Sequence, residues 1–147
     1  MKEKYDCINI SMPNLVNICV DEHKDGEISG RLYHCYKEDS ILFSSIIDLL
    51  REMEALYDQI SFPQASTRAR QFGESEIQQR KQRPQKVVNQ TEVIEYRGKL
   101  ASFITSVRFR QNSTWQGEFF WAEQNLNRYF SNTLDFIKHI DNVLGML

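Results

Sequence analysis

Proline occurs three times in the 147 residues, glycine six times and cysteine three times. So little proline and glycine excludes a collagen-like chain and a low-complexity linker. Cys7, Cys19 and Cys35 are odd in number and widely spaced, which suits reduced thiols rather than a disulfide framework. No stretch reaches the ~18–20 consecutive apolar residues of a transmembrane helix. The opening MKEKYDCINISMP carries lysines with no apolar run behind them. No signal peptide is read there, so the expected compartment is the cytoplasm and no membrane partner is expected.

Catalytic signatures are also missing. The glycines are scattered and form no phosphate-cradling loop. There is no G-x-S-x-G elbow and no H-E-x-x-H helix. The carboxylates are too dispersed to nominate an acid–base pair. Cys19, His23, His34 and Cys35 lack zinc-site spacing. Neighbouring strand residues point to opposite faces, so His34 and Cys35 do not converge on one ion or form a nucleophile–base dyad. The expectation is no metal and no cofactor, with the balance against an enzyme.

What is present is an ordinary soluble composition, 41% hydrophobic and 26% charged, in a chain long enough for one domain that buries about two-thirds of its unfolded surface. The net charge of −2 conceals a sorting along the chain. Residues 1–66 carry 6 basic and 12 acidic side chains, 67–110 carry 10 and 4, and 111–147 carry 2 and 4. Sorted charge bears on partners rather than on fold.

The segment FSNTLDFIKHID, Phe130 to Asp141, echoes FSSIIDLLREME, Phe43 to Glu54, 87 positions upstream. At that offset Gly30 meets Gly117, Val20 meets Val107 and Asp48 meets Asp135. The order of expected elements repeats as well. In the first half, Tyr5–Ile10, Leu15–Asp21 and Glu27–Tyr36 read as strands, with Asp25-Gly26 a hairpin turn. A helix capped by Asp39 or Ser40 follows, with apolar positions from 43 to 60, and Pro63 ends it. In the second half, Val93–Arg97, Leu100–Arg110 and Trp115–Glu123 read as strands, and a helix capped by Asn125 or Asn127 carries apolar positions from 130 to 147. The expected fold is α+β: one domain over 1–147, an antiparallel sheet of two β-β-β-α repeats at 5–60 and 91–147, and two helices packed on one face. Residues 64–90, rich in Gln, Arg and Lys, read as an exposed basic connection.

Strand alternation puts Phe103, Thr105, Val107 and Phe109 on the core face with Trp115, Phe119 and Trp121. The other face then carries Ser106, Arg108 and Arg110 against Gln116, Glu118 and Phe120, with Asp21, Arg31, Tyr33 and Cys35 in the first half. Arg31, Arg108 and Arg110 would hold an anionic group there, and Tyr33 and Phe120 would stack a planar one. The competing reading of that face is a subunit interface, or a solvated surface of cross-strand Arg–Glu pairs. A second candidate is the basic segment 67–110, with Arg68, Arg70, Arg80, Lys81, Arg83 and Lys86 as nucleic-acid contacts. The expected function is therefore a non-enzymatic binding or interaction protein that self-associates. The alternatives are nucleic-acid binding through the basic segment and binding of a small anionic nucleotide.

Asn112-Ser113-Thr114-Trp115-Gln116-Gly117 fits the N-x-[ST]-x-x-G portion of the PilZ domains, but the R-x-x-x-R stretch that those domains also need is absent. RGKLASFI, RQNSTWQGEFFW and the following F-S-x-x-L-D-F-I-K helix resemble a stretch that recurs in small bacterial proteins of uncharacterised function. The resemblance covers roughly 97–141. It implies a bacterial, cytoplasmic setting and carries no activity.

Overall fold

Two residues with positive φ, Asp25 at 55° and Gly26 at 78°, close the first hairpin, as a turn matched to strand twist requires. The computed structural model describes residues 9–62, 84–111 and 114–147. That turn joins β1 (Val16–Lys24) to β2 (Glu27–His34), and β3 (Ile41–Phe43) adds to the outer side of β2. Helix α1 (Ile46–Ile60) follows. After the single turn α2 (Gln90–Val93) come β4 (Ala101–Gln111), β5 (Thr114–Trp121), β6 (Leu126–Phe130) and α3 (Thr133–Gly145). The six strands form one antiparallel sheet in the order β3-β2-β1-β4-β5-β6. The fold is α+β.

Both long helices lie on one face. Leu49, Met53, Leu56 and Tyr57 of α1 and Phe136, Ile140, Val143 and Leu144 of α3 share a single core with Val16, Ile18, Val20, Leu32, Phe103, Val107, Trp115 and Phe119 of the sheet. Burial of this apolar surface is the main stabilising term. Trp115 and Phe119 meet Phe136 edge to face, with ring centroids 5.9 and 6.3 Å apart, the orientation aromatic pairs prefer.

Positions 87 apart occupy matching places in this sheet. The helix N-caps are Ser45 and Asn132, whose side chains accept from the Asp48 and Asp135 N–H groups at 3.0 and 2.7 Å. Asp48 and Asp135 in turn accept from the Ser44 and Ser131 N–H groups, both at 3.0 Å. Each is a reciprocal cap that satisfies donors at the helix start. The strands that fill the pattern are not the expected ones, however. Residues 5–8 lie outside the described residues, and Asn9 and Ile10 are not strand. Val93–Arg97 is the end of α2 and a turn, because the Asn89 side chain caps a helical turn there by accepting from Thr91 N–H at 3.1 Å. The third strand of each set is instead an outer one, β3 or β6, within the stretches expected to begin the helices. Asp39, Ser40, Asn125 and Asn127 therefore cap neither long helix. With the helices starting at 46 and 133, Ile47 and Leu134 point to solvent rather than into the core.

The two central strands each carry a bulge. Val20 pairs with Gly30 and Glu22 with Ser29, so Asp21 is the extra residue of β1. Val107 pairs with Gly117 and Phe109 with Gln116, so Arg108 is the extra residue of β4. At both places the facing residue has to be glycine. A Cβ on Gly30 would collide with the Cys19 carbonyl, and one on Gly117 with the Ser106 carbonyl. Gly30→Ala and Gly117→Ala are each expected to lower stability by about 1–3 kcal/mol through overpacking, read from urea denaturation.

His34, paired with Val16, is buried. Its Nδ1 accepts from the Tyr36 N–H at 3.1 Å, as a neutral imidazole must. Burial, helped by the nearby Lys37 charge, holds its pKa down at about 4. The unfolded chain takes up this proton near the ordinary value of about 6.5 while the folded chain refuses it, so stability falls as pH drops from 6.5 towards 4. His34→Gln lacks that linkage. Denaturation curves at pH 7 and pH 4 are expected to show the variant gaining about 3 kcal/mol relative to the parent over that interval.

Candidate interaction site at the sheet edges

The sheet face away from α1 and α3 is covered over its middle. Leu15, Ile94, Ile104, Phe120 and Ala122 form a second, smaller core there, with Ile10 and Met12 packed against it. Residues 84–100 are held down by side chains of the sheet. Asn17 Nδ2 donates to the Val93 and Tyr96 carbonyls at 2.8 and 2.9 Å. Arg31 donates to the Arg97 carbonyl at 2.8 Å, and Asp21 accepts from the Lys99 N–H at 2.9 Å. Satisfying backbone groups in this way is what allows an irregular segment to be buried.

This cover separates the five residues expected to bind a ligand. Phe120 is 1% exposed in the second core. Tyr33 is stacked on Tyr96, with centroids 3.8 Å apart and planes 1° apart. Arg31 is taken up by Asp21, the Tyr33 hydroxyl and the Arg97 carbonyl. Arg110 is on the other side of the sheet altogether. The bulge at Arg108 advances the alternation by one residue, so Arg110 sits opposite Trp115 on the helix-bearing face and Phe109 is turned out to solvent. There Arg110, 4% exposed, binds Glu54 and Asp58 of α1, and Glu54 also accepts from the Trp115 indole N–H at 2.7 Å. Of the five, Arg108 alone is substantially exposed; it pairs with Glu118 at the surface.

Of the basic set, Arg68, Arg70, Arg80, Lys81 and Arg83 lie outside the described residues. Lys86 is exposed. Residues 84–90 are not wholly exposed, since Val87 and Val88 donate to the Cys35 carbonyl at 2.7 and 3.0 Å and Gln90 is buried. The two described thiols, Cys19 and Cys35, are unsuited to nucleophilic work. Burial pushes Cys19 up to about 12 and raises Cys35 as well, leaving almost no thiolate at neutral pH.

Among the described residues the ends of the sheet remain open. A shallow cleft of roughly 550 Å³ lies beside β3, and another of roughly 380 Å³ beside β6. Their linings correspond residue for residue at the offset of 87: Gly30 with Gly117, Leu42 with Tyr129, Phe43 with Phe130, Ser44 with Ser131 and Asp48 with Asp135, and also Ser29 with Gln116, Asp21 with Arg108 and Glu22 with Phe109. Lys99 completes the β3 cleft. Leu42 is 74% exposed, Tyr129 68% and Phe109 63%. Ile47 and Leu134, another corresponding pair, are exposed in the first turns of α1 and α3. One difference between the clefts is chemical. Beside β3 the bulge residue is Asp21, paired with Arg31 across the hairpin at 2.9 Å; beside β6 it is Arg108, paired with Glu118. The same ion pair recurs with its signs exchanged. The alternation signalled neither Phe109 nor Tyr129, because a bulge exposes the first and the strand bearing the second was read as a helix cap.

The two arginines of β4 should separate cleanly by mutation. Arg110→Met strips Glu54 and Asp58 of a buried donor, and is expected to cost about 2–3 kcal/mol. These carboxylates can still reach water, which keeps the loss below that of a fully buried pair. Arg108→Ala removes a surface pair and is expected to change stability by less than about 0.5–1 kcal/mol. Urea denaturation of both variants measures the difference. No family model matches the chain, and neither the curated proteins nor the solved structures provide a match.

Proposed function

We propose that the chain is a non-enzymatic interaction protein whose binding surfaces are the two open edges of its sheet. The observation that carries this reading is the matched exposure of Leu42 on β3 and Tyr129 on β6, each the outermost strand. An edge strand offers unpaired backbone donors and acceptors to an incoming extended segment. Neither β3 nor β6 contains proline, and the single charged side chain between them is Arg128. An added strand beside β6 would lay alternate side chains on Tyr129 and across the cleft towards Phe109. Each aromatic would contribute about 1–2 kcal/mol from burial of its exposed part, which suits micromolar rather than nanomolar recognition once the costs of association are met.

The reading is tested by selecting extended peptides on the wild-type protein and titrating them against Tyr129→Glu and Leu42→Glu. Selected peptides are expected to bind at least about tenfold more weakly to one of the two variants. Peptides that bind both variants as well as the parent would overturn the reading. So would stabilisation by nucleotides or oligonucleotides in a protein that selects no peptide.

A further inference from the structure

The edge reading leaves the occupant open, and the strand order together with the charges left at the two edges identifies one. We infer that the chain binds a second copy of itself head to tail, β3 of one copy pairing antiparallel with β6 of the next to extend the sheet. This rests on the edge reading of the preceding subsection and specifies its partner.

Strand direction alternates through an even number of strands, so β3 and β6 run in opposite directions. A second copy displaced along the sheet therefore presents its β3 antiparallel to β6, with its helices on the same side and no reversal required. Side-chain parity agrees. Leu42 pairs with Arg31 and Tyr129 with Glu118, which puts both on the face away from the helices. Edge-to-edge pairing would bring Leu42 against the Tyr129 of the neighbouring copy on that face, and Ile47 towards the Leu134 of the neighbouring copy on the other. Half of the large apolar side chains exposed among the described residues, Phe109 included, lie at these two ends.

Backbone geometry alone would also permit two β6 edges, or two β3 edges, to pair about a twofold axis. Charge separates the three arrangements. In the β3 cleft Asp21 is neutralised by Arg31, which leaves Glu22 and Asp48 against Lys99. In the β6 cleft Arg108 is neutralised by Glu118, which leaves Asp135, with Arg128 on the edge strand itself. A pair of β6 edges would set Arg128 beside its own copy, and a pair of β3 edges would bring together two ends with an excess of carboxylate. Joining β3 to β6 sets that acidic end against the strand that bears Arg128, and complementary charge of this kind selects the partner. The contact is heterologous, so it does not close on itself at two copies.

Sedimentation of two edge variants and their mixture tests this directly. Wild-type protein is expected to gain mass with concentration beyond the two-chain species. Leu42→Glu and Tyr129→Glu, each blocked at one edge, are expected to stay at one-chain mass separately and to form a two-chain species, and nothing larger, when mixed in equal amounts. Both side chains are exposed, so circular dichroism should match the parent. Leu42→Gln and Tyr129→Gln take their place if either fails to fold. A Leu42→Glu protein that dimerises alone would overturn the head-to-tail arrangement in favour of twofold pairing at β6. Wild-type protein that remains a single chain up to its solubility limit would also overturn it. Peptide titration of that same sample then distinguishes the two claims, because retained binding leaves edge recognition standing and lost binding removes it as well.

Discussion

Two inserted residues, Asp21 and Arg108, govern how this sheet is used. A β-bulge places two residues opposite one, so beyond it every side chain changes face. In β4 the change carries Arg110 beneath α1, where it joins the end of the second half of the sheet to Glu54 and Asp58 of the first helix. The same change turns Phe109 out into the β6 cleft. The bulges also fix the sequence on the neighbouring strands. The partner backbone comes so close that Gly30 and Gly117 have no room for a Cβ. Four positions of the chain thus decide what is core, what is clamp and what is cleft.

How much of this was legible from residues alone varies with how local the signal is. Asp25-Gly26 declares its hairpin through the φ values that it favours, and Pro63 follows closely on the end of α1 at Ile60. Met53, Leu56, Tyr57 and Ile60 recur at helical spacing and are all buried, so the helix was readable from its stripe. β3 and β6 were not, because Ile41-Leu42-Phe43 and Leu126–Phe130 are short, and their final phenylalanines also suit the start of a helical stripe. The motif that truly starts each helix is the Ser44-Ser45 or Ser131-Asn132 pair with the aspartate three positions beyond the cap. That capping signal lay within the echo between the halves. The bulges escaped detection because alternation carries no mark of where it slips, and Arg110 was assigned to the wrong face as a result. Glycine opposite the bulge was the available clue, since glycine within a strand often marks one.

The same reasoning explains why most of the residues expected to bind a ligand on the face away from the helices are engaged within the chain. Ile104 and Phe120 on that face are apolar and need a cover, and residues 84–100 with the stretch before β1 supply it. The polar residues that suggested a binding surface hold the cover in place. Asn17, Asp21 and Arg31 all spend side-chain bonds on backbone groups of 93–99, and Tyr33 is stacked against Tyr96. Arginine and tyrosine on a strand face read identically in sequence whether they await a ligand or fasten a neighbouring segment. Three-dimensional placement distinguishes the two.

With one face under the helices and the other covered over its middle, the edges are where the sheet, among the described residues, still has unmet backbone valence. Natural sheets commonly blunt such edges with charge, proline or extreme brevity. Here the two ends are treated differently: β3 has three residues and no charged side chain, while β6 has five with Arg128 at its centre. A ladder is limited by its shorter strand, so β3 pairs its three residues against either edge, while two β6 edges would pair five. Length alone therefore favours like ends at β6. Against it stands Arg128, which two paired β6 strands would set beside its own copy, and which β3, a strand with no charged side chain, would not.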